Sequence, residues 1–310
     1  MMESGRARAV ETPVDLTGRH RTPLQRLDGK TAVVTGGSQG MGKAVARELA
    51  RLGAAVIIVA RDPARTREAI ADIEATTGSR SVRFVQADLA SLAAVRRAAA
   101  EVRENHPVLD ILINNAGGHF LRRLESADGI EQSWAINFAA PFLFTNLLID
   151  SILASKAGRV VNVASNAMSK TLTMTDLKRD GSFDSWRAYG EAKLCLVMFT
   201  YDLARRLADS CVTVNCLHPG LVATSVATSA KPEWMPTFVL DFIKLFLLTP
   251  EQGARTALAL AAAPNLQDVT GRHFVRGREA RSVPISYDID AQERAWSLGE
   301  RLTGFEWGRR

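Results

Sequence analysis

A tyrosine and a lysine four residues apart, Tyr189 and Lys193, have the spacing for proton chemistry. They open a run, Ala192 to Phe199 and on to about Leu207, in which Leu194, Val197, Met198, Tyr201 and Leu203 recur with nearly helical period. Residues i and i+4 share one helix face, so the phenol and the ammonium can enter one cleft. An ammonium beside a phenol favours the phenolate. That draws a pKa of about 10 toward neutrality, where a group that both gives and takes a proton works best. The pair alone decides little, because Tyr-x-x-x-Lys also arises by chance on solvated helix surfaces.

The elements that position the pair decide more. Thr31 to Thr35 is a short β-branched apolar run, read as a buried parallel strand. It enters Gly36-Gly37-Ser38-Gln39-Gly40-Met41-Gly42 and then a helix to about Leu52. Glycines at such a turn let the backbone approach a pyrophosphate, which then sits on the helix N-terminus. The competing reading is a purely structural turn. Ala55 to Ala60 is a second strand ending in Arg61-Asp62, where a dinucleotide's ribose is read. Arg61 there favours a 2′-phosphate, hence NADP(H). Its alternative is a solvated charge, with Asp62 capping a helix that starts at Pro63.

The alternation continues through Val82 to Gln86, Leu109 to Ile113, Arg159 to Ala164, Val212 to Leu217 and Arg272 to Val275, with helices over about Leu92–Arg103 and Gly129–Leu153. It predicts one α/β domain, a doubly wound (Rossmann) parallel sheet of about seven strands with helices on both faces. The domain spans about 30–280, after an N-terminal extension over 1–29 and before a partly helical tail over 281–310. The stretch between Ser165 and Tyr189 reads as an irregular surface excursion. Phe238 to Leu248 places Phe238, Phe242, Leu245 and Phe246 on one helical face, within a segment of about 225–249. It reads as a lid over an apolar substrate, a core or dimer helix, or an interfacial membrane helix.

Composition narrows the function classes. Hydrophobic residues are 46% of the 310 and charged residues 23%, as in a soluble globular protein with a substantial core. The +6 net charge is scattered and suggests solubility and an anionic ligand, not a nucleic-acid footprint. Cys195, Cys211 and Cys216 have no metal-ligand spacing, so no metal is expected, and they suggest reduced, buried thiols in a cytoplasmic protein. No run reaches the roughly 18 apolar residues of a membrane span, and the N-terminus lacks a signal-peptide core.

In open α/β sheets ligands sit beyond the carboxyl ends of the strands. The glycine turn, Arg61, Asp88, Asn114 to Gly117, Ser165 and Pro219-Gly220 all fall at such ends. A serine hydroxyl beside a tyrosine can hold a carbonyl oxygen where alkoxide charge develops. Thr35-Gly36-x-x-x-Gly40-x-Gly42, Asn114-Asn115-Ala116-Gly117, Ser165 and Tyr189-x-x-x-Lys193 together resemble the classical short-chain dehydrogenase/reductase family over about Lys30 to Val275. Ala60-Arg61-Asp62, the long gap from Ser165 to Tyr189, and Val214 to Gly220 resemble its retinol-dehydrogenase-like branch.

The resemblance implies an NADP(H)-dependent oxidoreductase interconverting an alcohol and its carbonyl. Tyr189 would be the acid/base and Ser165 would orient the substrate oxygen. Lys193 would lower the tyrosine pKa and bind the nicotinamide ribose, and Asn137 would hold a relay water. Cofactor contacts are implied at Gly36, Ser38, Gln39, Gly40, Met41, Gly42, Arg61, Asp88, Leu89, Asn115, Ala116, Gly117, Tyr189, Lys193, Pro219, Gly220, Val222 and Thr224. A homodimer or homotetramer through the two long helices, about Gly129–Leu153 and Arg187–Ala208, is implied as well. The chain departs from its branch at Gly118-His119-Phe120, where His119 reads as an exposed loop residue or a substrate contact. Gln39 stands where some NADP enzymes are basic, which leaves Arg61 alone to argue for the 2′-phosphate. The alternatives are a non-catalytic NADP(H)-binding sensor or scaffold and a tailoring ketoreductase of secondary metabolism.

Overall fold

The computed structural model describes residues 14–16, 23–174, 177, 183–220 and 248–308. The apolar runs form β1 (Thr31–Thr35), β2 (Ala55–Ala60), β3 (Val82–Gln86), β4 (Ile111–Asn114), β5 (Arg159–Val163), β6 (Thr213–His218) and β7 (His273–Val275), all parallel. An eighth strand, β8 (Arg278–Glu279), closes the edge antiparallel to β7. Two residues carry no readable period, so the sequence leaves it out. The order is β3-β2-β1-β4-β5-β6-β7-β8. The direction of winding reverses between β1 and β4, and the crevice beyond their carboxyl ends is where such sheets take ligands.

The described helices are α1 (Gly40–Arg51), α2 (Pro63–Thr77), α3 (Leu92–Asn105), α4 (Gln132–Leu153), α5 (Ser185–Arg206), α6 (Pro250–Ala262) and α7 (Ile289–Thr303). Strand side chains alternate between two cores, as a two-residue period requires. Val33, Ile57 and Leu112 join Trp134, Phe138 and Phe199 of α4 and α5. Val34, Ile58 and Ile113 join Val45, Leu49 and Leu258 of α1 and α6 on the other face. Local signals set the helix starts. Asp62 caps α2 through Arg65 N with Pro63 at its first position, as read from the sequence. Asp184 accepts from Trp186 N and Arg187 N at the start of α5.

α4 is not one regular helix. It begins as α-helix at Gln132–Trp134, widens to a π-helix over Ala135–Ala139, and resumes over Ala140–Leu153. By length and composition it could cross a membrane, yet most of it is buried in the core against the sheet, α3 and α5. Its buried neighbours account for its apolar character.

Segments near both limits of the described residues are tied to the domain. Residues 14–16 lie along β8, with Leu16 N donating to the Gly277 carbonyl and Glu279 N to the Val14 carbonyl. α7 lies across α4 and α5. Its Trp296 is 3% exposed, with ring centroids 5.2 Å from Phe142 and 5.6 Å from Phe199. Cys195 and Cys216 are buried thiols, whereas Cys211 is exposed in the turn after α5, against the expectation of three buried ones. α5 ends five residues before Cys211, which therefore never enters its packed face.

Candidate active site

The glycine turn is built by close backbone packing. Gly36 and Gly40 have left-handed φ of +67° and +53°. A Cβ at Gly42 would lie 2.3 Å from the Gly36 carbonyl oxygen and 2.4 Å from Asn115 Nδ2. Thr35 Oγ1 accepts from Asn115 N and Ala116 N, both at 3.0 Å, while Asn115 Nδ2 donates to the Thr35 carbonyl at 2.8 Å. The two loops at the switch point are thus one unit. Asn115, expected to touch cofactor, uses its Nδ2 to hold the glycine turn. Gly42→Ala forces a methyl group into that backbone and is expected to cost about 1–3 kcal/mol, read as a lower urea midpoint. An unchanged midpoint would show that the turn yields.

The residues present fit a dinucleotide. α1 starts at this turn with no side-chain cap on its amide groups and no acid in its first turn, so its N–H groups and positive dipole end suit an anion. Arg61 is exposed at the end of β2. Arg65, one turn into α2, donates from Nη1 to Gln39 Oε1 at 2.9 Å and so brings a second guanidinium over the turn. Sequence reasoning missed Arg65; its position four residues after Arg61, on a helix that Pro63 starts, was the available signal. Asp88 Oδ1 accepts from Ala90 N at 3.0 Å and shapes the loop after β3, and Leu89 follows it.

Beyond β4 and β5 the catalytic candidates converge. Lys193 is 3% exposed, and Nζ donates to the Val163 carbonyl at 2.7 Å. Asn137 sits within the π-helical turn of α4. Its Nδ2 donates to the Gly118 and Ser133 carbonyls at 2.8 Å, and its Oδ1 accepts from Gly118 N at 3.1 Å. A Cβ at Gly117 would lie 2.7 Å from that Oδ1 and 3.1 Å from Lys193 Nζ. The π turn therefore serves to dock the 117–118 peptide beside the lysine. Both Asn137 Nδ2 hydrogens are committed there, while Oδ1 accepts one hydrogen bond and keeps a second lone pair.

Ser165 is buried just past β5; its Oγ accepts from Ala167 N at 3.1 Å, and its hydroxyl lies near enough to the Tyr189 phenol to act on its ionisation. Burial pushes the Tyr189 phenol above its ordinary value, and the Ser165 hydroxyl opposes that only in part. Burial also pushes the Lys193 ammonium down, to about 7. The expected lowering of the tyrosine by the lysine is not what dominates within the protein itself. Nζ stands 5.9 Å from the Tyr189 ring centroid and donates one of its hydrogens to the Val163 carbonyl, and desolvation prevails at both groups.

Supports that the sequence did not reveal lie just behind. Asn114 Nδ2 donates to Thr145 Oγ1 and Asn162 Oδ1, and Asn162 Nδ2 to Thr200 Oγ1, a buried ladder joining α4, β4, β5 and α5. Glu191, wholly buried between Tyr189 and Lys193, accepts from Thr173 N, Thr173 Oγ1 and Met174 N and so ties the excursion after Ser165 to α5. His119 is buried at 9% exposure, not an exposed loop residue, because Trp186 of α5 stacks on its ring. Pro219 and Gly220 follow β6 at the same rim. Val222, Thr224 and the expected lid up to residue 247 lie outside the described residues. No cluster of three metal-ligating side chains occurs among the described residues.

Comparison with known proteins agrees with this arrangement. The short chain dehydrogenase family model matches residues 30–234. Retinol dehydrogenase 14 of Mus musculus is 34% identical over 90% of this chain and 87% of its own length. Polyprenol dehydrogenase of Mus musculus is 37% identical over 93% of this chain and 88% of its own. A short chain dehydrogenase from Shigella flexneri 2a, solved in complex with NADP, superposes with a TM-score of 0.66 at 26% identity, covering 82% of this chain and 99% of that one. The chain belongs to the short-chain dehydrogenase family, in a branch similar to the retinol dehydrogenases.

Proposed function

We propose that this short-chain dehydrogenase interconverts an apolar alcohol and its aldehyde or ketone with NADP(H), using Tyr189 as acid and base. The observation that carries the reading is the Tyr189 phenol beside the Ser165 hydroxyl, with buried Lys193 one helical turn along α5, at the carboxyl ends of β4 and β5. When bound, the nicotinamide supplies the hydride to the carbonyl carbon or takes it from the alcohol carbon. Ser165 and Tyr189 bind the substrate oxygen as two donors placed where charge develops. In reduction the phenol gives that oxygen its proton; in oxidation the phenolate takes it back. Lys193 carries a positive charge whenever an acceptor offsets its burial, and that charge then favours the phenolate. Asn137 positions the 117–118 backbone against Lys193.

Arg61 and Arg65 support NADP(H) over NAD(H), as two guanidiniums at the glycine turn suit a 2′-phosphate. The apolar substrate is supported by the relatives' names, which are those of retinol and polyprenol dehydrogenases. Exposed Leu121, Leu124 and Trp186 on the loop after β4 and the start of α5 agree with it. The cofactor assignment is tested by titrating the protein's fluorescence with NADPH and with NADH. Arg61→Ala is expected to weaken NADPH about tenfold or more, since a hydrogen bond to a charged group contributes about 1.5–3 kcal/mol, and to leave NADH unchanged. Equal affinity of the unmodified protein for both cofactors would sink the 2′-phosphate reading.

A further inference from the structure

His119 is held more tightly than a loop residue needs to be. Its ring centroid lies 4.1 Å from that of Trp186 and 5.4 Å from that of Tyr189, the latter edge-on at 61°. The loop entering it is fixed by Asn137 through both polar atoms of the Gly118 backbone. Among the described residues, Nε2 is buried without a hydrogen-bond partner. Burial keeps the imidazole neutral by pushing its pKa down. In the neutral tautomer that carries its proton on Nδ1, Nε2 presents a lone pair. A buried acceptor without a donor is costly, and this one stands beside the acid/base tyrosine.

We propose that His119 Nε2 accepts a hydrogen bond from a hydroxyl or N–H that the substrate carries within a few bonds of its reacting carbon. The site then selects, among apolar carbonyls, those bearing such a donor, hydroxy ketones and hydroxy aldehydes foremost. Trp186 and His119 form the wall against which the intervening carbons pack. The proposal rests on the carbonyl-reducing reading above.

The test compares an aryl α-hydroxy ketone with its deoxy analogue, in NADPH turnover and in binding to the protein with NADP+ by tryptophan quenching. The protein is expected to favour the hydroxy ketone by about tenfold or more in both, as sites built to pair a hydroxyl reject the analogue without it. His119→Phe, which keeps the stack on Trp186, is expected to bring the ratio close to one, and His119→Gln to recover part of it. Turnover of both ketones without preference, or a ratio unchanged in His119→Phe, overturns the proposal and leaves the carbonyl-reducing reading standing. Preferential binding that is lost in His119→Phe, without turnover, supports this site while removing that reading. Binding of neither ketone overturns the proposal.

A separate observation bears on assembly. The face of α4 and α5 on which a partner subunit was expected is held by this chain's own α7. A Cβ at Gly299 would lie 2.7 Å from the Phe142 ring, so helix and ring are in direct contact. The Arg206 guanidinium stacks 3.8 Å over Trp296, and Arg96 Nη2 donates to the Thr303 carbonyl at 2.7 Å. We infer that α4 and α5 are not a subunit interface and that α7 fills that place within each chain. Sedimentation of the full chain, with hydrogen exchange at low and high concentration, tests this. A monomer, or a dimer protected elsewhere, is expected; concentration-dependent protection of α4 and α5 overturns it.

Discussion

Tyr189→Phe is expected to lower kcat by about a thousandfold while leaving NADPH affinity within about twofold, because positioned proton transfer contributes roughly 10²–10⁴. The ring stays, so its edge contacts with His119 and Trp186 survive and only the proton is removed. Phe also removes one of the two hydroxyls proposed to bind the substrate oxygen, which weakens the hold on it. The loss should therefore appear in kcat more than in KM. Initial rates with an apolar aldehyde and saturating NADPH measure it. A variant within tenfold of the unmodified protein would mean that another group delivers the proton.

Trp296→Ala is expected to give the largest stability change, about 3–5 kcal/mol for a buried aromatic. Trp296 packs between Phe142 and Phe199, carries Arg206 on its face at 3.8 Å, and meets Trp307 edge-on at 5.3 Å. Deleting it opens a cavity between α7 and the helix pair that carries Asn137, Tyr189 and Lys193. Urea unfolding followed by circular dichroism reads the loss. A change below about 1 kcal/mol would show that α7 is only laid against the domain.

The sheet was legible because most of its parallel strands are short apolar runs, and β1, β4 and β5 end in turns rich in Gly, Asn or Ser. β1 to β7 follow from that signal within a residue or two. The site motifs were legible for the same reason, since strand ends are where the glycine turn, Asn114 to Gly117 and Ser165 fall. What stayed hidden depends on contacts between distant residues. His119 looks like a polar loop residue until Trp186 covers it. Arg65 looks like a solvated helix charge until its guanidinium reaches Gln39. The π turn at Ala135–Ala139 has no composition signal, because one wide turn leaves the apolar pattern of α4 nearly intact. The tail over 281–310 read as charged and partly helical; that Trp296 inserts between α4 and α5 requires knowing which helix faces stand open.

Catalysis at the Tyr189 site is the central claim, and one measurement addresses it most directly: consumption of NADPH by the purified protein with a long-chain unsaturated aldehyde. Saturable turnover proportional to protein, with the alcohol as product, is the predicted result. Tight NADPH binding with no consumption of any aldehyde or ketone in a broad panel would contradict it and identify the chain as an NADP(H)-binding protein without catalysis.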